Sequence, residues 1–90
     1  MKYSLTVIIP AYNEEKTIGQ AIMRAMQAKT GIASIEIIVV NDGSTDRTKT
    51  QIAKCKGQNK KIKIINKSKN EGKGAAIRDA LKIAKGNIFI

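Results

Sequence analysis

Histidine and tryptophan are absent from the 90 residues, and cysteine, proline and phenylalanine occur once each. With no histidine and Cys55 as the one thiol, zinc sites of the finger or ribbon kind and histidine-based triad or acid/base chemistry are excluded. Any catalysis must use carboxylates or cations. A lone cysteine makes no internal disulfide and fits a reducing compartment, so a cytoplasmic location is expected. The longest apolar runs, Val7 to Ala11 and Ile37 to Val40, fall far short of the ~20 residues of a membrane helix, and no cleavable signal precedes them. Tyr3, Tyr12 and Phe89 are the only aromatics, too few and too early or late to interleave with the lysines as stacking platforms for nucleic acid.

What is present suits one small folded unit. Apolar residues make up 42% and charged residues 27%, enough to bury a core and unlike a disordered chain. Seventeen Lys and Arg against seven Asp and Glu give +10, and the excess is C-terminal. Residues 1–46 carry four bases and five acids, whereas residues 47–90 carry thirteen and two. Such a half attracts polyanions, be they nucleic acid, an anionic membrane or a phosphorylated substrate.

Short runs rich in β-branched residues predict four strands: Leu5 to Ile9, stopping at Pro10; Ile35 to Val40; Ile62 to Ile65; and Ile88 to Ile90. Between them the period changes. Ile18, Ala21, Ile22, Ala25 and Met26 share one face of a helix predicted from about Glu15 to Ala28, capped by Asn13 and ended by Thr30 and Gly31. A second helix is expected from Ser44 or Thr45, with Asp46 in its first turn, Ile52 and Ala53 buried and Gly57 as its stop. A third places Ala76, Ile77, Ala80, Leu81 and Ala84 on one stripe and stops at Gly86. The alternation β-α-β-α-β-α-β implies an α/β, Rossmann-like parallel sheet of order 3-2-1-4 with right-handed crossovers.

Three loops at the strands' carboxyl ends hold the unusual polar and glycine residues: Pro10 to Glu14, Asn41 to Asp46 and Asn66 to Gly74. Ligands bind at that edge of open parallel sheets. Asp42 is either an Asx turn with a helix cap or a carboxylate accepting hydrogen bonds from a base or ribose. Tyr12 either packs in its loop or lies against a base. Gly72-Lys73-Gly74 opens a helix, so backbone N–H groups and Lys73 can meet a phosphate. It is no P-loop, because glycine follows Lys73, and it fails the dinucleotide fingerprint. Arg78, one turn inside, is by default a solvated face residue.

Together the strings TVIIPAYNEE (Thr6 to Glu15), IIVVNDGSTDRT (Ile37 to Thr48) and NEGKGAAIRDAL (Asn70 to Leu81) resemble the nucleotide-binding half of family 2 glycosyltransferases, GT-A fold enzymes that include the dolichol-phosphate and polyprenyl-phosphate sugar transferases. The resemblance covers essentially the whole chain. It implies a UDP- or GDP-sugar donor, with Pro10, Tyr12 and Glu14 lining the nucleoside pocket, Asp42 and the adjoining Gly43 at the base, and Lys73 and Arg78 toward the nucleotide and diphosphate. It further implies an acceptor such as a lipid phosphate or a glycan, a place at the cytoplasmic face of a membrane, and Mg²⁺ or Mn²⁺ in a full-length enzyme. Asn41 departs from the aspartate common before Asp-Gly-Ser. The family's Asp-x-Asp motif and catalytic base, which follow the fourth strand, are not among these residues, and no residue here is assigned to metal or catalysis. The expectation is a single nucleotide-sugar-binding subdomain over 1–90, truncated before Asp-x-Asp and inactive in transfer by itself. The alternative is a basic nucleic-acid-binding or partner-binding module of the same fold, without specific base readout.

Overall fold

The computed structural model describes residues 4–27 and 34–89, the last three through their backbone. Four strands, β1 (Ser4–Ala11), β2 (Ser34–Asp42), β3 (Ile62–Lys67) and β4 (Asn87–Phe89), alternate with α1 (Ile18–Met26), α2 (Thr48–Gln58) and α3 (Lys73–Leu81). Every pairing is parallel and the order is β3-β2-β1-β4, as the alternation implies.

β2 lies inside the sheet and is covered on both faces, which is why Ile37, Ile38, Val39 and Val40 run without a polar interruption. Ile37 and Val39 face Ile18 and Ile22 of α1 and Ile52 of α2. Ile38 and Val40, with Ile8, face Ala76 and Ala80 of α3, whose small side chains permit close approach. Several helical expectations shift. Ala21, Ala53 and Leu81 are exposed, because each helix fully buries only two residues four apart: Ile18 and Ile22 in α1, Thr48 and Ile52 in α2, Ala76 and Ala80 in α3. Gly57 lies inside α2 and does not end it. α1 starts at Ile18 and α2 at Thr48, both later than the sequence pattern suggests. Ala28, Thr30, Gly31 and Ile90 fall outside the described residues.

The amino edge of the sheet is tied at Glu36. Its Oε1 accepts the Thr6 hydroxyl at 2.9 Å and the Lys85 N–H at 3.1 Å, and its Oε2 pairs with Lys63. Thr6, fully buried, in turn accepts the Gly86 N–H at 2.9 Å. Gly86 does not stop α3. It lets the chain into β4, since a Cβ there would stand 2.9 Å from the Ser4 carbonyl oxygen. Burial by itself would raise the Glu36 carboxyl, but Lys63, the Lys85 N–H and the Thr6 hydroxyl hold it below its ordinary value.

A carboxyl lowered in the folded state stabilises above its unfolded pKa, and that contribution is lost as pH falls through the folded value. Glu36→Gln should therefore cost about 1–2 kcal/mol in urea unfolding at about pH 7 and much less at about pH 3. An equal loss at both values would show that the charge on Glu36 is not what ties this edge.

Candidate functional site

At the carboxyl edge, β1 and β2 end side by side, with Ala11 opposite Asn41. The loops that follow exchange hydrogen bonds. Asn13 takes the left-handed conformation at φ 51, which asparagine tolerates. Its N–H donates to Ser44 Oγ at 3.0 Å, and its Oδ1 accepts the Thr45 N–H at 2.8 Å. The Glu14 N–H donates to Thr48 Oγ1 at 2.8 Å and the Glu15 N–H to Asp46 Oδ2 at 3.3 Å. Asn13 thus serves the loop before α2 and does not cap α1. Asp46 precedes α2 and accepts the Thr48 N–H at 2.8 Å. Desolvation pushes the Asp46 carboxyl up, but the Thr48 hydroxyl and the N–H groups of Thr48 and Glu15 bring it below its ordinary value.

Asn41 is buried, 3% exposed, where it joins β2 to β3: its Nδ2 donates to Asn66 Oδ1 at 3.0 Å and its Oδ1 accepts the Ser44 N–H at 3.2 Å. An ionised aspartate has no N–H to offer Asn66, so the amide suits this neighbour.

Asp42, 4% exposed, reaches neither its own turn nor α2. Oδ1 accepts the Glu71 N–H and Oδ2 the Gly72 N–H, each at 3.0 Å, so the Asx-turn and helix-cap alternative does not describe it. A carboxylate offers about four lone-pair sites, which leaves Asp42 acceptor capacity toward the hollow it lines. Beyond it, Lys67 Nζ sits between Glu71 and Asp79, 2.6 Å from each, fastening the end of β3 to α3. Hydrogen bonds to Asp79 and then Glu71 raise the Lys67 ammonium, and the Lys67 bond lowers Asp79.

Between these loops lies an open cavity of about 160 Å³ lined by Pro10, Ala11, Tyr12, Glu14, Asp42, Asn70, Gly72 and Lys73. Five of the seven residues singled out in the sequence, Pro10, Tyr12, Glu14, Asp42 and Lys73, meet there. Gly43 lies under the β3–α3 loop, and Arg78 is exposed on α3; neither lines the cavity. Of the other lining residues, Gly72 is expected only as part of the helix opening, and Ala11 and Asn70 are not singled out, although both stand in the strings that carry the resemblance. Larger hollows exist: about 320 Å³ around the Glu36 tie and about 370 Å³ along the edge of β1 beyond β4. The first lies at the wrong end of the strands for a ligand site of this fold, and the second shares Pro10 and Lys73 with the cavity but is not lined by Tyr12, Glu14 or Asp42.

The cavity's charged groups are two carboxylates, Glu14 and Asp42, and one cation, Lys73. Asp42 is buried while Glu14 and Lys73 are exposed, so the hollow offers acceptors for N–H and O–H donors and one cation for an anion. It does not fit a divalent metal. Among the described residues no three carboxylate or thiol groups come together.

A family model described as Glycosyl transferase family 2 matches residues 6–90. The chain is 40% identical over 91 residues to the "uncharacterized glycosyltransferase sll0501" of Synechocystis sp., across 100% of this chain and 29% of that protein. It is 37% identical over 90 residues to the dolichyl-phosphate beta-glucosyltransferase of Homo sapiens, across 91% of this chain and 28% of the relative. The chain therefore spans less than a third of the length of these relatives. Among solved structures, the mannosyltransferase PcManGT from Pyrobaculum calidifontis, in complex with GDP-Man and Mn²⁺, superimposes with a TM-score of 0.81 at 25% identity, covering 96% of this chain and 26% of that one. Its agreement identifies the sheet as the N-terminal part of a GT-A fold.

Gly43 supports the cavity from below. At φ +71, a Cβ on it would lie 2.3 Å from the Asn70 nitrogen and from the Lys69 carbonyl carbon. Gly43→Ala should cost about 2–5 kcal/mol through the left-handed conformation and the overlap together, a fall in Tm of roughly 10 °C or more. Gly57→Ala, in open space within α2, should stabilise by about 0.5–1 kcal/mol. Thermal unfolding of both variants checks the contrast, and equal effects would contradict it.

Proposed function

Because the chain belongs to glycosyl transferase family 2, we propose that it forms the nucleotide-binding part of an enzyme that moves a sugar from a UDP- or GDP-sugar to a lipid-phosphate acceptor. The observation that carries this reading is the convergence of Pro10, Tyr12, Glu14, Asp42 and Lys73, from three separate loops, on one cavity. Uracil and guanine both present ring N–H donors, which Asp42 accepts with its remaining lone pairs. Tyr12, 45% exposed at the rim, offers a ring face to the base. Lys73 and the first N–H groups of α3 take the diphosphate. Arg78, outside the lining, contributes only positive potential to the approach.

At about 160 Å³ the cavity is smaller than the ~300 Å³ at which sites for whole small ligands begin, so it holds the nucleoside end of the donor. The sugar, the acceptor, the base that activates it and the Mg²⁺ or Mn²⁺ that stabilises the departing diphosphate belong to the remainder of a full-length enzyme. The lipid-phosphate acceptor is inferred from relatives such as the human dolichyl-phosphate glucosyltransferase, and it implies work at a membrane surface, proposed as the cytoplasmic face. No helix among the described residues is long and apolar enough to cross a membrane.

The chain should bind UDP or GDP with Kd of about 0.1–1 mM, and Tyr12→Ala and Lys73→Ala should each weaken binding about three- to tenfold. Between about 50 and 200 mM salt this affinity should change little, whereas oligonucleotide binding with six or more phosphate contacts should fall by roughly a thousandfold. Heteronuclear NMR titrations with both ligand classes decide the matter. Submicromolar oligonucleotide affinity at 200 mM salt with no response to UDP or GDP would favour the nucleic-acid module and sink the donor reading.

A further inference from the structure

The β3–α3 loop brings Asn70, Gly72 and Lys73 to the cavity, and its placement rests on the end of β2. Both oxygens of Asp42 are engaged by consecutive peptide groups of that loop, the N–H groups of Glu71 and Gly72, each at 3.0 Å; Gly72 shares its N–H with Asn70 Oδ1 at 3.1 Å. Gly43 leaves room for the loop backbone to lie directly on β2's end. The residue after Gly72 is Lys73, the first of α3 and the cavity's one cation. A single buried carboxylate thus engages the two peptide groups that immediately precede the cavity's one cation.

We infer that Asp42 is a positioning residue for the phosphate side of the site: it holds Lys73 and the start of α3 where a diphosphate would lie, besides any bond it makes to a base. The inference rests on the nucleotide reading above. Its physical content is preorganisation. A loop already fixed in its bound arrangement loses little conformational entropy when the anion arrives, and a loosened loop loses more.

The sign of one substitution separates this role from base recognition alone. Asp42→Asn removes a negative charge beside the anion, which by Coulomb attraction alone would tighten binding of inorganic pyrophosphate. It also sets an NH₂ group against one of the two loop N–H groups, which breaks the clamp. The expected result, read from Lys73 and Gly74 amide shifts at about 150 mM salt, is pyrophosphate binding weakened about three- to tenfold. Amide exchange at Glu71 and Gly72 should quicken. In a Lys73→Ala background the Asp42→Asn effect on pyrophosphate should vanish, as expected when one residue acts through the other. Asp42→Glu keeps the charge and moves the carboxylate by one methylene; it should also weaken pyrophosphate, and it reads the same coupling if the asparagine variant does not fold. Unchanged or tighter pyrophosphate binding, with uridine or guanosine weakened, overturns the positioning role and leaves the nucleotide reading standing. If the parent chain responds to neither pyrophosphate nor UDP nor GDP, both readings fall.

Discussion

The carboxyl edge of this sheet depends on the parallel, in-register pairing of β1 with β2, because that pairing sets two irregular loops side by side. Each loop carries backbone N–H groups that its own segment does not satisfy, and each supplies the side chains the other lacks. Asn13 and Thr48 are the centre of the exchange. The N–H groups that lead into α1 are bonded by residues that lead into α2, so neither helix start is an independent unit. A slip of one residue between β1 and β2 would exchange the side chains that pack on α1 and α2 with those that pack on the small residues of α3, and would also part Asn13 from Thr45. Core and site are therefore specified by the same register.

That exchange also explains which features the sequence reveals. The strands are legible because β2 is buried on both faces and must be continuously apolar, and the order follows from short right-handed crossovers. Pro10, Tyr12, Glu14 and Lys73 are legible as lining residues of one cavity because they stand in or at the end of the loops that follow β1 and β3, at the edge where an open parallel sheet presents its ligands. Helix starts are less so. Asn13 followed by two glutamates reads locally as a cap, yet its side chain belongs to a loop 32 residues away. Likewise Asp42-Gly43 reads as a turn, while its carboxylate engages peptide groups about 30 residues on. Local patterns carry strand burial well; they carry no information on which distant backbone a polar side chain will satisfy. Leu81, apolar and on the expected stripe, is 46% exposed, while its neighbour Ala80 is the residue of that turn that meets the core.

Charge divides the labour between attraction and selection. Among the described residues the cations in ion pairs are Lys63 and Lys67, held by Glu36, Glu71 and Asp79. Asp42 and Asp46 are taken up by backbone N–H groups. Most of the acids are thus used inside the fold, and most of the seventeen cations are left to form a positive field over the C-terminal half. A field of that kind raises the local concentration of any anion and discriminates poorly among them.

The cavity has the opposite character. Two of its three charged groups are carboxylates, Asp42 buried and Glu14 exposed, so charge alone gives it no preference for a bare polyanion, and Lys73 is its one group that attracts a phosphate. A ligand complementary to these groups carries hydrogen-bond donors for Asp42 and negative charge for Lys73. On the proposed reading a nucleoside diphosphate offers both, whereas nucleic acid would present its phosphates along the whole contact. Gly72, the residue before Lys73, is bonded to Asp42, so on the proposed reading the one buried carboxylate of the cavity also positions its one cation. The surface field supplies attraction alone, and selection among anions has to come from short-range connections of that kind.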